Sequence, residues 1–110
     1  MRLTELCNQL NLKNICGDRD TEISGVYVGD FLSRAMSRVE ADNVWVTIMA
    51  NTNVVAVASL TDAACILLAE DVALSEDALC AAKENGITVL SSPDSAYELC
   101  LKIGKVLDAQ

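Results

Sequence analysis

Histidine is absent from this 110-residue chain. With it go the Ser-His-Asp and Cys-His nucleophile systems and every imidazole-based metal site. Proline occurs once and aromatic residues make up 4%, so Ala, Val and Leu must fill the interior, which suits helices packed closely on a parallel sheet. Basic residues are scarce: 8 Lys and Arg stand against 16 Asp and Glu, a formal charge of −8. That balance argues against nucleic acid or an anionic membrane as partner. No signal-peptide pattern opens the chain, which runs straight into an amphipathic segment. Five cysteines are present (Cys7, Cys16, Cys65, Cys80 and Cys100), an odd number without a Cys-x-x-Cys pair, each within an apolar pattern. This speaks against a disulfide framework and against a zinc or iron–sulfur site. It fits a reduced cytoplasmic protein that uses Cys as a small core residue. No Cys has an activating base beside it in sequence. The expectation is therefore a non-enzyme with no catalytic residues, no metal and no cofactor.

The apolar fraction, by contrast, is 52%, ample for one core in a single domain over residues 1–110. Leu3, Leu6, Cys7 and Leu10 repeat at helical spacing, which predicts a helix over about 2–11. Ile15-Cys16 before Gly17-Asp18 reads as a short strand. Ile23 to Val28 reads as another, with Gly29-Asp30 as the cap of a helix reaching residue 39. Cys65 to Leu68 is a short, continuously apolar strand. Ser75 caps a helix that stops at Asn85-Gly86, and Thr88 to Leu90 is a last strand. Ser92-Pro93 is expected to cap the final helix, whose stripe is Ala96, Leu99, Cys100, Ile103, Val106 and Leu107.

The stretch Val44 to Leu60, VWVTIMANTNVVAVASL, is nearly all apolar but carries Asn-Thr-Asn at its centre. It is too short and too polar to cross a membrane and too long for one strand. Strand 44–48, a corner at 49–52 and a helix over 53–60, capped by Asn53, remain. Three valines make that helix intrinsically weak, so packing must hold it. The whole chain then predicts an α/β fold: a three-layer α/β/α domain with a small, mostly parallel sheet and right-handed crossovers.

The segments ISGVYVGDFLSRAM (23–36), VWVTIMANTNVVAVASLTDAACILLAEDV (44–72) and NGITVLSSPDSAYEL (85–99) together resemble the DRTGG domain. That family is similar to the N-terminal region of HPr kinase/phosphorylase. The resemblance implies a regulatory or nucleotide-sensing domain, not a kinase, since no phosphate-cradling Gly-x-x-x-x-Gly-Lys-Ser/Thr loop is present. The family's Asp-Arg pair lies after the strand equivalent to 44–48, and its Thr-Gly-Gly after the strand equivalent to 65–68. Here those places read Ala50-Asn51-Thr52-Asn53 and Ala69-Glu70-Asp71. The Asn-Thr-Asn version resembles a stand-alone subgroup associated with iron-only hydrogenase and related electron-transfer subunits.

Ligands of open α/β sheets sit beyond the carboxyl ends of the strands. Corners at 28–30, 49–53, 69–72 and 91–94 should meet there, with Asp30, Asn51, Thr52, Asn53 and Ser92 as candidate contacts to an adenine nucleotide. Asp30, Glu70, Asp71 and Asp94 line the same edge and would repel a phosphate. Arg34 and Arg38, one turn apart, could clasp a phosphate or an acidic partner, although Asp30 is placed to pair with Arg34. Ala56, Ala58 and Ser59 form a small-residue flank where a second copy could approach. A two-fold homodimer is the expected assembly, with this flank as its interface and the 30–39 helix as a further candidate part of it, acting as a non-catalytic accessory or regulatory domain.

Overall fold

The computed structural model describes residues 1–109. Along the chain run α1 (Leu3–Leu10), β1 (Lys13–Cys16), β2 (Gly25–Val28), α2 (Leu32–Arg38), β3 (Asn43–Thr47), α3 (Thr52–Thr61), β4 (Cys65–Leu68), α4 (Glu76–Glu84), β5 (Val89–Ser91) and α5 (Ala96–Asp108). The sheet order is β1-β5-β4-β3-β2. Strands β2 to β5 are mutually parallel, and β1 joins the far edge antiparallel to β5.

Strand alternation assigns the two faces. Trp45, Ile66, Leu68 and Val89 share a core with residues of α2, α3 and α4. Val44, Val46, Cys65, Leu67 and Leu90 share another with Leu3 and Leu6 of α1 and with Leu99 and Ile103 of α5. The sheet is thus covered on both sides, which is why β3 and β4 read as unbroken apolar runs. Each fully buried Val, Leu or Ile contributes about 1.5–3 kcal/mol, enough to hold α3 in spite of its valines: Val54, Val55 and Val57 all face inward. Trp45 is fully buried, and its indole N–H donates to the Gly29 carbonyl at 3.0 Å, so its one polar atom is satisfied.

Three local expectations are corrected. Asn51, not Asn53, caps α3: its side-chain oxygen accepts from the N–H groups of Asn53 and Val54 at 3.1 and 3.3 Å, and Asn53 lies exposed in the first turn. Ser95, not Ser92, caps α5, because Ser95 and Glu98 bond reciprocally across the first turn, while Ser92 Oγ accepts from Asp94 N–H in the preceding loop. Helix α2 starts at Leu32 behind Phe31 with no side-chain cap, since the Asp30 carboxylate bonds Thr47 and Ile48 instead.

At the amino ends of the parallel strands, Arg19 ties the layers together. Its guanidinium donates to Asp42 at 2.6 Å, Asp62 at 2.9 Å and the Ala63 carbonyl at 3.1 Å. Burial disfavours this cation, yet the two carboxylates outweigh it and hold its pKa above the ordinary value.

Candidate functional site

The four corners do meet at the carboxyl ends of the strands, and the chain ties them there. Asp30 accepts from the Thr47 hydroxyl at 2.7 Å and from Ile48 N–H at 3.0 Å, joining the first corner to the second. Ala69 N–H donates to the Thr47 carbonyl at 3.1 Å and Ser75 N–H to the Ala50 carbonyl at 3.0 Å, joining the second to the third. Glu70 N–H reaches the Asp94 carbonyl at 2.9 Å and Asp71 N–H the Ser92 carbonyl at 3.0 Å, joining the third to the fourth. The edge is one hydrogen-bonded rim.

The candidate contacts are occupied within that rim. Asp30 bridges Thr47 and Ile48; Asn51 caps α3; the Ser92 hydroxyl, on a residue 6% exposed, accepts from Asp94 N–H at 3.1 Å. Thr52 and Asn53 remain exposed. The expected Asp30–Arg34 pair does not form, because Asp30 is drawn to Thr47, and both Arg34 and Arg38 stand exposed without an ion-pair partner among the described residues. Asp94 is neutralised differently, by Lys102 Nζ at 2.5 Å.

Among the described residues five non-glycine positions have positive φ, and only in the turn after β4 are two of them adjacent. Glu70 and Asp71 both have positive φ, 59° and 56°. Only glycine enters that conformation freely; other residues meet a Cβ clash worth about 1–2 kcal/mol each. The main-chain bonds of Glu70 and Asp71 to Asp94 and Ser92 hold the turn in this conformation. Sequence spacing shows nothing of this; two successive left-handed acidic residues carry no local signal.

No reactive group stands out at the rim. Cys16 and Cys65 are buried, Cys7 and Cys100 partly so, and Cys80 is exposed on α4, against the expectation that all five serve the core. Burial raises the thiol pKa of Cys7, Cys16, Cys65 and Cys100, keeping them protonated. Among the described residues no group of His, Cys, Asp or Glu is placed to hold a metal ion, and no helix is long and apolar enough to cross a membrane.

The predicted interface divides. Ala58 is 1% exposed and packs in the core beneath α3, whereas Ala56 and Ser59 face solvent, followed by Leu60 at 70% exposure. Ala56, Ser59 and Leu60 fall at i, i+3 and i+4, one outward stripe. Helix α2 lies against α3 and exposes Met36 by half, and Phe31 at its start is 77% exposed.

Comparison with known proteins agrees with this architecture. The family model described as the DRTGG domain matches residues 5–106. Among solved structures, the chain is similar to the CBS and DRTGG domains of the regulatory region of Clostridium perfringens pyrophosphatase, a structure complexed with its activator, diadenosine tetraphosphate. The TM-score is 0.69 at 12% identity, over 89% of this chain and 44% of that one. The chain therefore spans less than half of that neighbour, and the likeness is one of fold. No curated protein matches the sequence.

Proposed function

This chain belongs to the DRTGG domain family, and from that membership we propose that it is a non-catalytic regulatory domain of the cytoplasm that works through protein contact, first with a second copy of itself. The observation that carries the reading is the surface of α2 and α3. In a chain with 16 Asp and Glu, the segments LSRAMSR and TNVVAVASLT contain none, and α2 adds two arginines without an ion-pair partner among the described residues. A molecule of charge −8 resists meeting its own kind. Contact is least opposed where acids are missing, and there Phe31, Met36 and Leu60 stand in solvent, Leu60 on one helix stripe with the exposed small residues Ala56 and Ser59. Subunits of iron-only hydrogenase and related electron-transfer enzymes are the further partner class to test, on the strength of the subgroup resemblance.

Light scattering at tens of micromolar should give a dimer. Ala56→Arg, which would bring two unpaired charges together at the contact, should give a folded monomer. A monomeric parent protein, or a dimer indifferent to Ala56→Arg, rejects this face.

A second reading, an adenine-nucleotide sensor, is favoured by one observation: the four strand-end corners are gathered into a single rim. A nucleotide panel with and without Mg²⁺, read by thermal shift, decides it. A ligand at about 100 times its dissociation constant adds roughly 2.7 kcal/mol, so the absence of any shift removes the reading.

A further inference from the structure

A cleft of about 320 Å³ opens on the other face of the sheet, between the end of α1 and the outer side of α5, lined by Gln9, Leu10, Asn11, Lys102, Lys105 and Val106. Its size falls at the small end of the range of small-molecule sites. The lining is mixed in a way that suits a particular chemistry. Leu10 and Val106, each half-buried, form an apolar wall, and two of the chain's 8 basic residues stand beside it. Two of the carbonyls at the end of α1 are already taken, Cys7 by Leu12 N–H at 3.0 Å and Asn8 by Asn11 N–H at 3.4 Å. Lys105 has no ion-pair partner among the described residues, and Lys102 is held by Asp94 at 2.5 Å, a bond that keeps its ammonium charged.

We propose that this cleft binds a small organic anion with a compact apolar body, its charged group on Lys105 and Lys102 and its body on Leu10 and Val106. Binding draws Lys102 from Asp94. Asp94 also supplies the carbonyl that holds Glu70 N–H, so occupancy of the cleft reaches the left-handed turn after β4 through one side chain and one main-chain bond. Glu98, one turn before Lys102, adds negative charge nearby and sets a preference for a ligand that offers more than bare charge. The cleft is separate from the α2–α3 face, so the failure of one leaves the other standing.

The test uses n-butyl phosphate as probe, with inorganic phosphate and n-butanol as controls, followed through backbone amide shifts of the intact chain. Butyl phosphate should move the amides of Gln9, Asn11, Lys102 and Lys105 in a saturable way, and those of Glu70, Asp71 and Asp94 with the same midpoint. Inorganic phosphate and butanol should bind at least about tenfold more weakly, since each offers half of the recognition. Lys105→Gln, at an exposed position that leaves the fold intact, should weaken the probe severalfold. Asp94→Asn should tighten it and uncouple the response at Glu70 and Asp71. No saturable shift at the cleft, or binding indifferent to Lys105→Gln, overturns the site. Cleft shifts without any response at Glu70 and Asp71 overturn the link to the turn.

Discussion

Glu70 and Asp71 sit at φ 59° and 56°, and replacing both with glycine isolates the energy stored in the turn after β4. The left-handed conformation disfavours a residue with a Cβ by about 1–2 kcal/mol. Glycine returns about 0.4–1 kcal/mol of that through its larger freedom in the unfolded chain. Aspartate tolerates the region better than glutamate does, so Glu70→Gly should supply most of the gain. The main-chain bonds of the turn, Glu70 N–H to Asp94 and Asp71 N–H to Ser92, survive the change. The double variant is therefore expected to be about 1 kcal/mol more stable, a rise of roughly 4 °C in Tm for a chain of this size. Urea denaturation followed by circular dichroism, with an unchanged m-value, is the assay. A loss of stability would refute the reasoning. It would mean that the two carboxylates make native interactions worth more than the strain they impose.

Other perturbations follow from the same geometry. Gly17→Ala should destabilise by more than about 2 kcal/mol in urea, because φ is +87° and a Cβ would lie 2.5 Å from the Thr88 Cα, which is backbone and cannot step aside. Arg19→Ala removes three hydrogen bonds across the amino ends of the strands and should lower stability by about 2 kcal/mol in the same titration. Asp30→Ala frees the Thr47 hydroxyl and Ile48 N–H and should lower Tm by several degrees with no nucleotide present, marking Asp30 as part of the rim's framework. Thr4 N–H and Arg2 hold the Asp20 carboxyl below the ordinary carboxylate range. Its contribution is thus fully present above about pH 4 and fades as pH falls through its lower folded value. Asp20→Asn should flatten the acid limb of the stability profile, measured by denaturation from neutral pH downward.

Much of the fold was legible because burial writes itself plainly into short strands. Cys65–Leu68 and the core of Asn43–Thr47 are covered on both faces and could be read almost to the residue. The corner inside Val44–Leu60 was equally legible, since only a turn accommodates two asparagines in such a run. Caps were harder. Asn51 and Asn53 are chemically identical and two apart, and the choice between them depends on where β3 stops, which is decided by Asp30 taking Ile48 N–H from 18 residues away. Ser95 was missed although Ser95-Ala-Tyr-Glu98 is a capping box, because Ser92-Pro93 offered an equally good local signal. The candidate site shows the limit most clearly. Spacing brought the right corners together, but it could not show that Asp30, Asn51 and Ser92 are occupied in holding the rim. It also could not show that Ala58 turns inward while Ala56 turns out, since a helix of valines and alanines has almost no periodicity to reveal its buried side.

The central claim, that the acid-free surface of α2 and α3 is where this domain meets its own second copy, is tested most directly by a dilution series of amide spectra. Between high and low protein concentration, the amides of residues 31–38 and 53–61 should shift together along one dimerisation curve, while those of α1, α4 and α5 stay still. Shifts concentrated on any other surface, or spectra that do not change with concentration while the protein sediments as a monomer, would contradict it.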